Sequence, residues 1–141
     1  MKYHFLVLFL FFATQLCLGQ TLHIQVSGMR NATGNIRLAF YANSKSFDDE
    51  KPLFIRTVAK KEMIKNKQQI TYHDLKPGTY GIAILDDENA NEKMDYGLIL
   101  PKEGFGFSDY YHSGMTRPKY EKFDFDLKKE VKEVEIKIRY L

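Results

Sequence analysis

The residues best suited to chemistry lie between Asp86 and Asp95, in the string D-D-E-N-A-N-E-K-M-D. Counted from Asp87, oxygen-bearing side chains fall at the first, third, fifth and ninth positions: Asp87, Asn89, Asn91 and Asp95. That is the spacing with which a loop of EF-hand type presents oxygen ligands to Ca2+, a hard cation. The sixth position of such a loop turns sharply and normally takes glycine, because positive φ costs a residue with a Cβ about 1 kcal/mol. Here it is Glu92, and the twelfth position, usually a bidentate glutamate, is Leu98. A further ligand would have to come from Glu103 or a backbone carbonyl. The competing reading is an acidic turn whose Asp and Asn side chains bond their own backbone. Zinc is disfavoured, since the four histidines are scattered and the only thiol is Cys17.

Other residues carry chemistry less specifically. Glu103 has the type of a catalytic acid or a metal ligand, but a lone carboxylate beside Gly104 and Gly106 also suits capping of backbone N–H groups. Ser108, Asp109 and His112 supply a nucleophile and bases. Closeness in sequence is not evidence for a triad, which is assembled in space, and no G-x-S-x-G elbow occurs. Tyr110, Tyr111 and Tyr120 with His112 have the makings of an aromatic platform for sugars or peptides, and core packing accounts for them equally well.

The elements that must hold these residues are strands. Leu22, Ile24 and Val26 alternate with His23, Gln25 and Ser27; after Asn31–Asn35, Ile36, Leu38 and Phe40 alternate again. This pair reads as a hairpin or a sandwich crossover. Further strands are expected over 53–59, 69–72 and 80–85, then at Phe123, Phe125 and Leu127, and at Val134, Ile136, Ile138 and Tyr140. The basic stretch from Lys60 to Lys67 reads as a turn or a short helical piece. Leu75-Lys76-Pro77-Gly78-Thr79-Tyr80 has the look of a tyrosine corner, in which the hydroxyl ties back to nearby backbone. Eleven Phe and nine Tyr without Trp suit a β-rich chain. The fold expected is all-β: a single antiparallel Greek-key sandwich of about seven strands, each burying one apolar face. Residues 86–120 form a connection too long for an idle loop, and its glycines and aromatics predict that it is ordered.

The first residues read as an address. Lys2 and His4 precede an apolar run from Phe5 to Ala13, with small residues at Cys17 and Gly19. This describes a signal peptide over 1–19, cleaved before Gln20, and the run is shorter than the about 20 residues of a spanning helix. The alternatives are an uncleaved anchor and a lipoprotein modified at Cys17, for which Gln15 and Leu16 are poor neighbours. Cleavage leaves 141 − 19 = 122 residues, one domain over 20–141, with no cysteine and a formal charge of +2 once Lys2 is lost from the +3 total. So small and dispersed an excess does not point to nucleic acid.

The acidic Asn-x-Asn loop, then Leu100-Pro101-Lys102-Glu103-Gly104-Phe105-Gly106-Phe107-Ser108, with Arg117-Pro118 and Phe123 downstream and Leu-x-Pro-Gly-Thr-Tyr upstream, resembles one bacterial exported family. It is the family called domain of unknown function 2141. The likeness covers nearly all of 20–141, and the Pro-Lys-Glu-Gly-Phe-Gly-Phe-Ser block is its most specific part. The resemblance implies an immunoglobulin-like or transthyretin-like sandwich and an exported address, periplasmic or secreted. It implies no particular chemistry. Glu92 departs from the family pattern, which has Gly there. In a bacterial protein the sequon Asn31-Ala32-Thr33 would stand idle.

The reading that follows is an exported, non-enzymatic binding or accessory module, calcium-stabilised through the 86–95 loop. Its partner would be an envelope protein or a glycan, without stable membrane insertion once the leader is gone. The alternative is a small carbohydrate-active hydrolase using Asp86, Asp87 and Glu103, which would need two carboxylates facing each other across a cleft about 5–9 Å apart.

Overall fold

The computed structural model describes residues 19–128 and 130–141. The expected leader lies outside them apart from Gly19. The described residues form eight strands: β1 (Gln20–Ser27), β2 (Asn35–Tyr41), β3 (Phe54–Ala59), β4 (Lys67–Leu75), β5 (Gly78–Asp87), β6 (Gly104–Phe107), β7 (Asp124–Leu127) and β8 (Val131–Lys137). One sheet has the order β4-β1-β8 and the other β3-β2-β5-β6, with β7 also paired to β5. β6 takes the Ala83–Asp86 end of β5 and β7 the Gly78–Gly81 end, so the two short strands share one edge. β1 and β2 lie in different sheets and are joined by a sandwich crossover, not a hairpin.

The all-β sandwich expected from alternation is therefore present, with differences of detail. β6 brings the strands to eight. Pairing is antiparallel except between β1 and β8, which run parallel from Thr21 opposite Val131 to Ser27 opposite Lys137. The charged loop after β2 holds a short helix, α1 (Ser44–Asp48), opened by a capping box. The Asn43 side chain accepts from the Ser46 amide at 2.8 Å, and the Ser46 hydroxyl approaches the Asn43 N–H at 3.3 Å. These bonds satisfy donors that a helix start leaves unpaired.

The period of two sorts the side chains. Leu22, Ile24 and Val26 of β1, Ile36, Leu38 and Phe40 of β2, Ile82 and Ile84 of β5, and Val134 and Ile136 of β8 face one another between the sheets and are buried. Phe40 stacks on Phe54 at 4.4 Å between centroids and meets Tyr72 edge-on at 5.6 Å. The outer face of the second sheet is covered as well. Ala39 and Ala83 are small there, and onto them pack Tyr41, Phe47, Phe107, Tyr120 and Phe123. Gly81 belongs to this face: a Cβ would stand 2.7 Å from both the Phe123 and the Tyr120 ring. The long connection is thus anchored by a second aromatic core.

Tyr80 is buried, and its hydroxyl donates to the Lys76 carbonyl at 2.7 Å, forming the tyrosine corner. Tyr80→Phe should lower stability by about 1 kcal/mol, the net worth of one hydrogen bond, without preventing folding. Urea unfolding measures this, and an unchanged midpoint would remove the corner's role.

Candidate functional site

β5 delivers the acidic segment. Tyr80, Ile82 and Ile84 point into the main core, and the same alternation carries Asp86 inward at the strand's end, where it is wholly buried. A carboxylate in that position needs a partner, because an uncompensated buried charge is expensive. Lys60, in the 3-10 turn Lys60–Glu62 after β3, supplies it. Its side chain is 0% exposed, and its ammonium lies 2.5 Å from Asp86 Oδ1 and 3.2 Å from Asn31 Oδ1. The Lys60–Asp86 contact is an ion pair between two fully buried groups. Tyr140 donates its hydroxyl to the other Asp86 oxygen. Burial, and next that bond to Asp86, push the Tyr140 phenol above its ordinary range. The Tyr140 oxygen in turn accepts the Arg30 N–H at 3.1 Å, and the Arg30 guanidinium lies 4.5 Å from the centre of the Tyr140 ring. Arg30 also forks onto Glu88 at 2.6 and 2.7 Å, holding that carboxyl below the usual range.

Asp87 points the other way from Asp86 and is also 0% exposed. Its two oxygens accept the backbone N–H groups of Asn91 at 3.1 Å and Glu92 at 2.9 Å. Asn89 Oδ1 accepts the Asn91 N–H at 3.0 Å, and Asn91 Oδ1 accepts the Lys93 N–H at 2.8 Å. The amide groups of Asn89 and Asn91 both donate to Asp95, the latter at 3.1 and 3.2 Å to its two oxygens. The structure therefore gathers all four residues singled out by spacing. Glu92 takes φ 64°, the left-handed turn that glycine would make at lower cost. Its carbonyl accepts from Arg37, and its carboxylate is 3.8 Å from the same guanidinium.

Glu103 closes the loop. It is 4% exposed, and its two oxygens accept the N–H groups of Glu88 at 3.1 Å and Asp95 at 3.2 Å. One carboxylate thus ties the start of the connection to its middle, the capping role open to it from sequence. Beyond Asp95 the chain turns back on itself: Lys102 N–H donates to Asp95 O at 2.8 Å and Gly97 N–H to Leu100 O at 2.7 Å, with Tyr96 bridged to Pro101. At this tip Leu98 is fully exposed and Ile99 85% exposed, above a hollow of about 550 Å³ shared with Leu141.

The remaining candidates are engaged elsewhere. Ser108 is fully buried; its hydroxyl donates to Phe123 O at 2.5 Å and accepts the Ile82 N–H at 2.9 Å, linking β5 to the turn before β7. Asp109 accepts the Glu135 N–H at 2.8 Å, and the ring of His112 bonds Thr116 O at 2.5 Å. The three do not act on one another. The tyrosines also separate: Tyr120 is in the second core, its hydroxyl donating to Tyr41 O at 3.2 Å and its pKa pushed up to about 12 by burial. Tyr110 and the exposed Tyr111 border a shallow hollow of about 350 Å³ with Asp109, Glu135 and Lys137.

Sequence reasoning missed Lys60, Asn31 and Tyr140. The signal was the continuation of the inward row of β5 to Asp86, which demands a cation. Among the described residues, no three carboxylate, imidazole or thiol groups are placed to hold a metal ion. The 87–95 set reaches four only by counting two amides.

A family model described as an uncharacterized protein conserved in bacteria, DUF2141, matches residues 24–135. No curated protein and no solved structure matches the chain. The matched span runs from β1 into β8 and contains the corner, the acidic loop, Glu103 and the second aromatic core, so the chain belongs to the bacterial family DUF2141.

Proposed function

We propose that this chain is an exported binding or accessory module of the cell envelope whose acidic loop is a calcium-stabilised scaffold. One observation carries the reading: Asp86, Asp87 and Glu103 are all turned inward, onto Lys60, Tyr140 and backbone N–H groups, and none is more than 4% exposed. Carboxylates so placed fix a loop. A hydrolase would need two of them facing an open cleft. For export, a mature N-terminus at Gln20, read by mass spectrometry of the native protein, is expected. A full-length or Cys17-lipidated main species would overturn that part.

Calcium fits the donor set in kind. All the side-chain donors are oxygens, and each Asp87 oxygen accepts one N–H and keeps a second lone pair. The Glu92 backbone makes the sharp turn that the missing glycine put in question. The Asn89 and Asn91 amides would present oxygen in place of N–H. Calcium should therefore raise the melting temperature, by the equivalent of about 2.7 kcal/mol at a hundredfold excess over Kd, and magnesium should do less. Asp95→Ala should remove most of the shift; Asp48→Ala, in α1, should not. Glu92→Gly should strengthen it, because glycine relieves the positive φ and the Glu92 carboxylate faces Arg37. A wild-type domain indifferent to calcium would leave the loop as a self-bonded acidic turn.

A further inference from the structure

The tip of the long connection breaks the chemistry of its own turn. The hairpin closed by Gly97 N–H on Leu100 O places two residues at its apex, where turns favour Gly, Asn, Asp or Ser. Here they are Leu98 and Ile99, 105% and 85% exposed, with Leu100 at 40% and Tyr96 at 62% beside them. The base of the hairpin is pinned by Glu103 and the Asp95 carbonyl, so the apolar apex is presented on a fixed support. Two lysines flank it, Lys93 and Lys102. Both are exposed, and neither forms an ion pair among the described residues. Of the acids nearest in sequence, Glu103 is held by backbone N–H groups and Asp95 by the amides of Asn89 and Asn91, while the exposed Glu92 faces Arg37.

We propose that the 96–100 tip is a membrane-surface contact that inserts Leu98 and Ile99 into the interface of an anionic lipid bilayer. The charge pattern fits: cations flank the apolar apex, so that headgroup phosphates meet Lys93 and Lys102 while the aliphatic residues reach the acyl boundary. Tyr96 stands at the level where aromatic rings with a polar end settle. The size fits too. The patch is a few side chains, far below the roughly 800 Å² per partner of a stable protein interface. So small an apex suits a fluid surface that needs no shape match. Such contact is peripheral and reversible, and no helix among the described residues is long and apolar enough to cross a membrane. The proposal deepens the binding-module reading by naming its partner class, and it rests on export.

The chain contains no tryptophan, so Ile99→Trp in the 20–141 chain, which holds all eight strands, is a single optical reporter. Vesicles of phosphatidylcholine with phosphatidylglycerol should shift its emission to the blue, and lipids brominated on the acyl chain should quench it. In sedimentation, the double variant Leu98→Ser, Ile99→Ser should bind such vesicles at least about tenfold more weakly. Lys93→Gln and Lys102→Gln should each cost about fivefold and reduce the preference over pure phosphatidylcholine. An unshifted tryptophan, equal sedimentation of wild type and double variant, or dimers in solution that the double variant abolishes would each overturn the proposal. A vesicle failure alongside an intact calcium shift would remove the lipid contact and leave the calcium-braced module standing.

Discussion

Lys60→Met should destabilise the domain by about 3–5 kcal/mol, more than most surface changes together. The reason is what it leaves behind. Asp86 would remain fully buried at the end of β5 with Tyr140 as its surviving side-chain partner, and a carboxylate stripped of its cation inside a protein must be desolvated, protonated or exposed. Asp86→Leu alone should cost a similar amount by stranding the ammonium of Lys60. The pair is not intrinsically stabilising, however. Replacing both at once, Lys60→Met with Asp86→Leu, should recover most of the loss, because apolar side chains of similar volume avoid the desolvation that the ion pair only repays. Denaturant unfolding of the three variants forms a double-mutant cycle. A Lys60→Met loss below about 1 kcal/mol would mean that the pair opens to water in solution.

Phe123→Ala should cost about 3–5 kcal/mol as well, but with a different distribution over the molecule. Phe123 is 1% exposed and sits at the centre of the second core, with ring centroids 4.9 Å from Phe47, 4.9 Å from Phe107 and 5.4 Å from Tyr120. Its loss opens a cavity under the connection, not between the sheets. Hydrogen exchange should therefore accelerate first around Ser108 and Tyr120, while β1 and β4 keep their protection. Tyr111→Ala, at an exposed aromatic on the same connection, should stay within about 0.5 kcal/mol. Uniform loss of protection would show that the two cores unfold as one.

The strands of the main core were legible because each turns one apolar face inward and alternates it with polar or small residues, which writes a period of two into Leu22–Val26, Ile36–Phe40 and Val134–Ile138. β6 was not. Gly104 and Gly106 alternate with Phe105 and Phe107, and glycines read as turns. Here they are strand residues whose absent side chains make room for β8 and the tail after it. A Cβ on Gly104 would lie 2.4 Å from Ile138 Cγ2, and one on Gly106 2.8 Å from Ile136 Cγ2. The parallel partnership of β1 and β8 was equally hidden, since alternation fixes which face a strand buries and not which strand lies beside it. In the acidic loop, Asp87, Asn89, Asn91 and Asp95 share one hydrogen-bonded turn, because Asx side chains at alternate positions fold back on their own backbone, the reading that competed with a metal site. Lys60 escaped notice because a lysine among lysines reads as solvent-facing. Only its distance from Asp86 in space gives it a role.

The pairing of β1 with β8 also dictates an order of events in time. β1 is the middle strand of its sheet, between β4 and β8, and its second neighbour lies more than a hundred residues downstream in sequence. Leu22, Ile24 and Val26 can gain one flank from β4 early, yet the inward side chains Val134 and Ile136 reach them only after nearly the whole chain is at hand. Contacts so distant along the chain pay their loop-closure entropy before they return any burial, which makes folding slow. The sheet around β1 would thus stay open until the eighth strand is at hand, and the main core would seal only then.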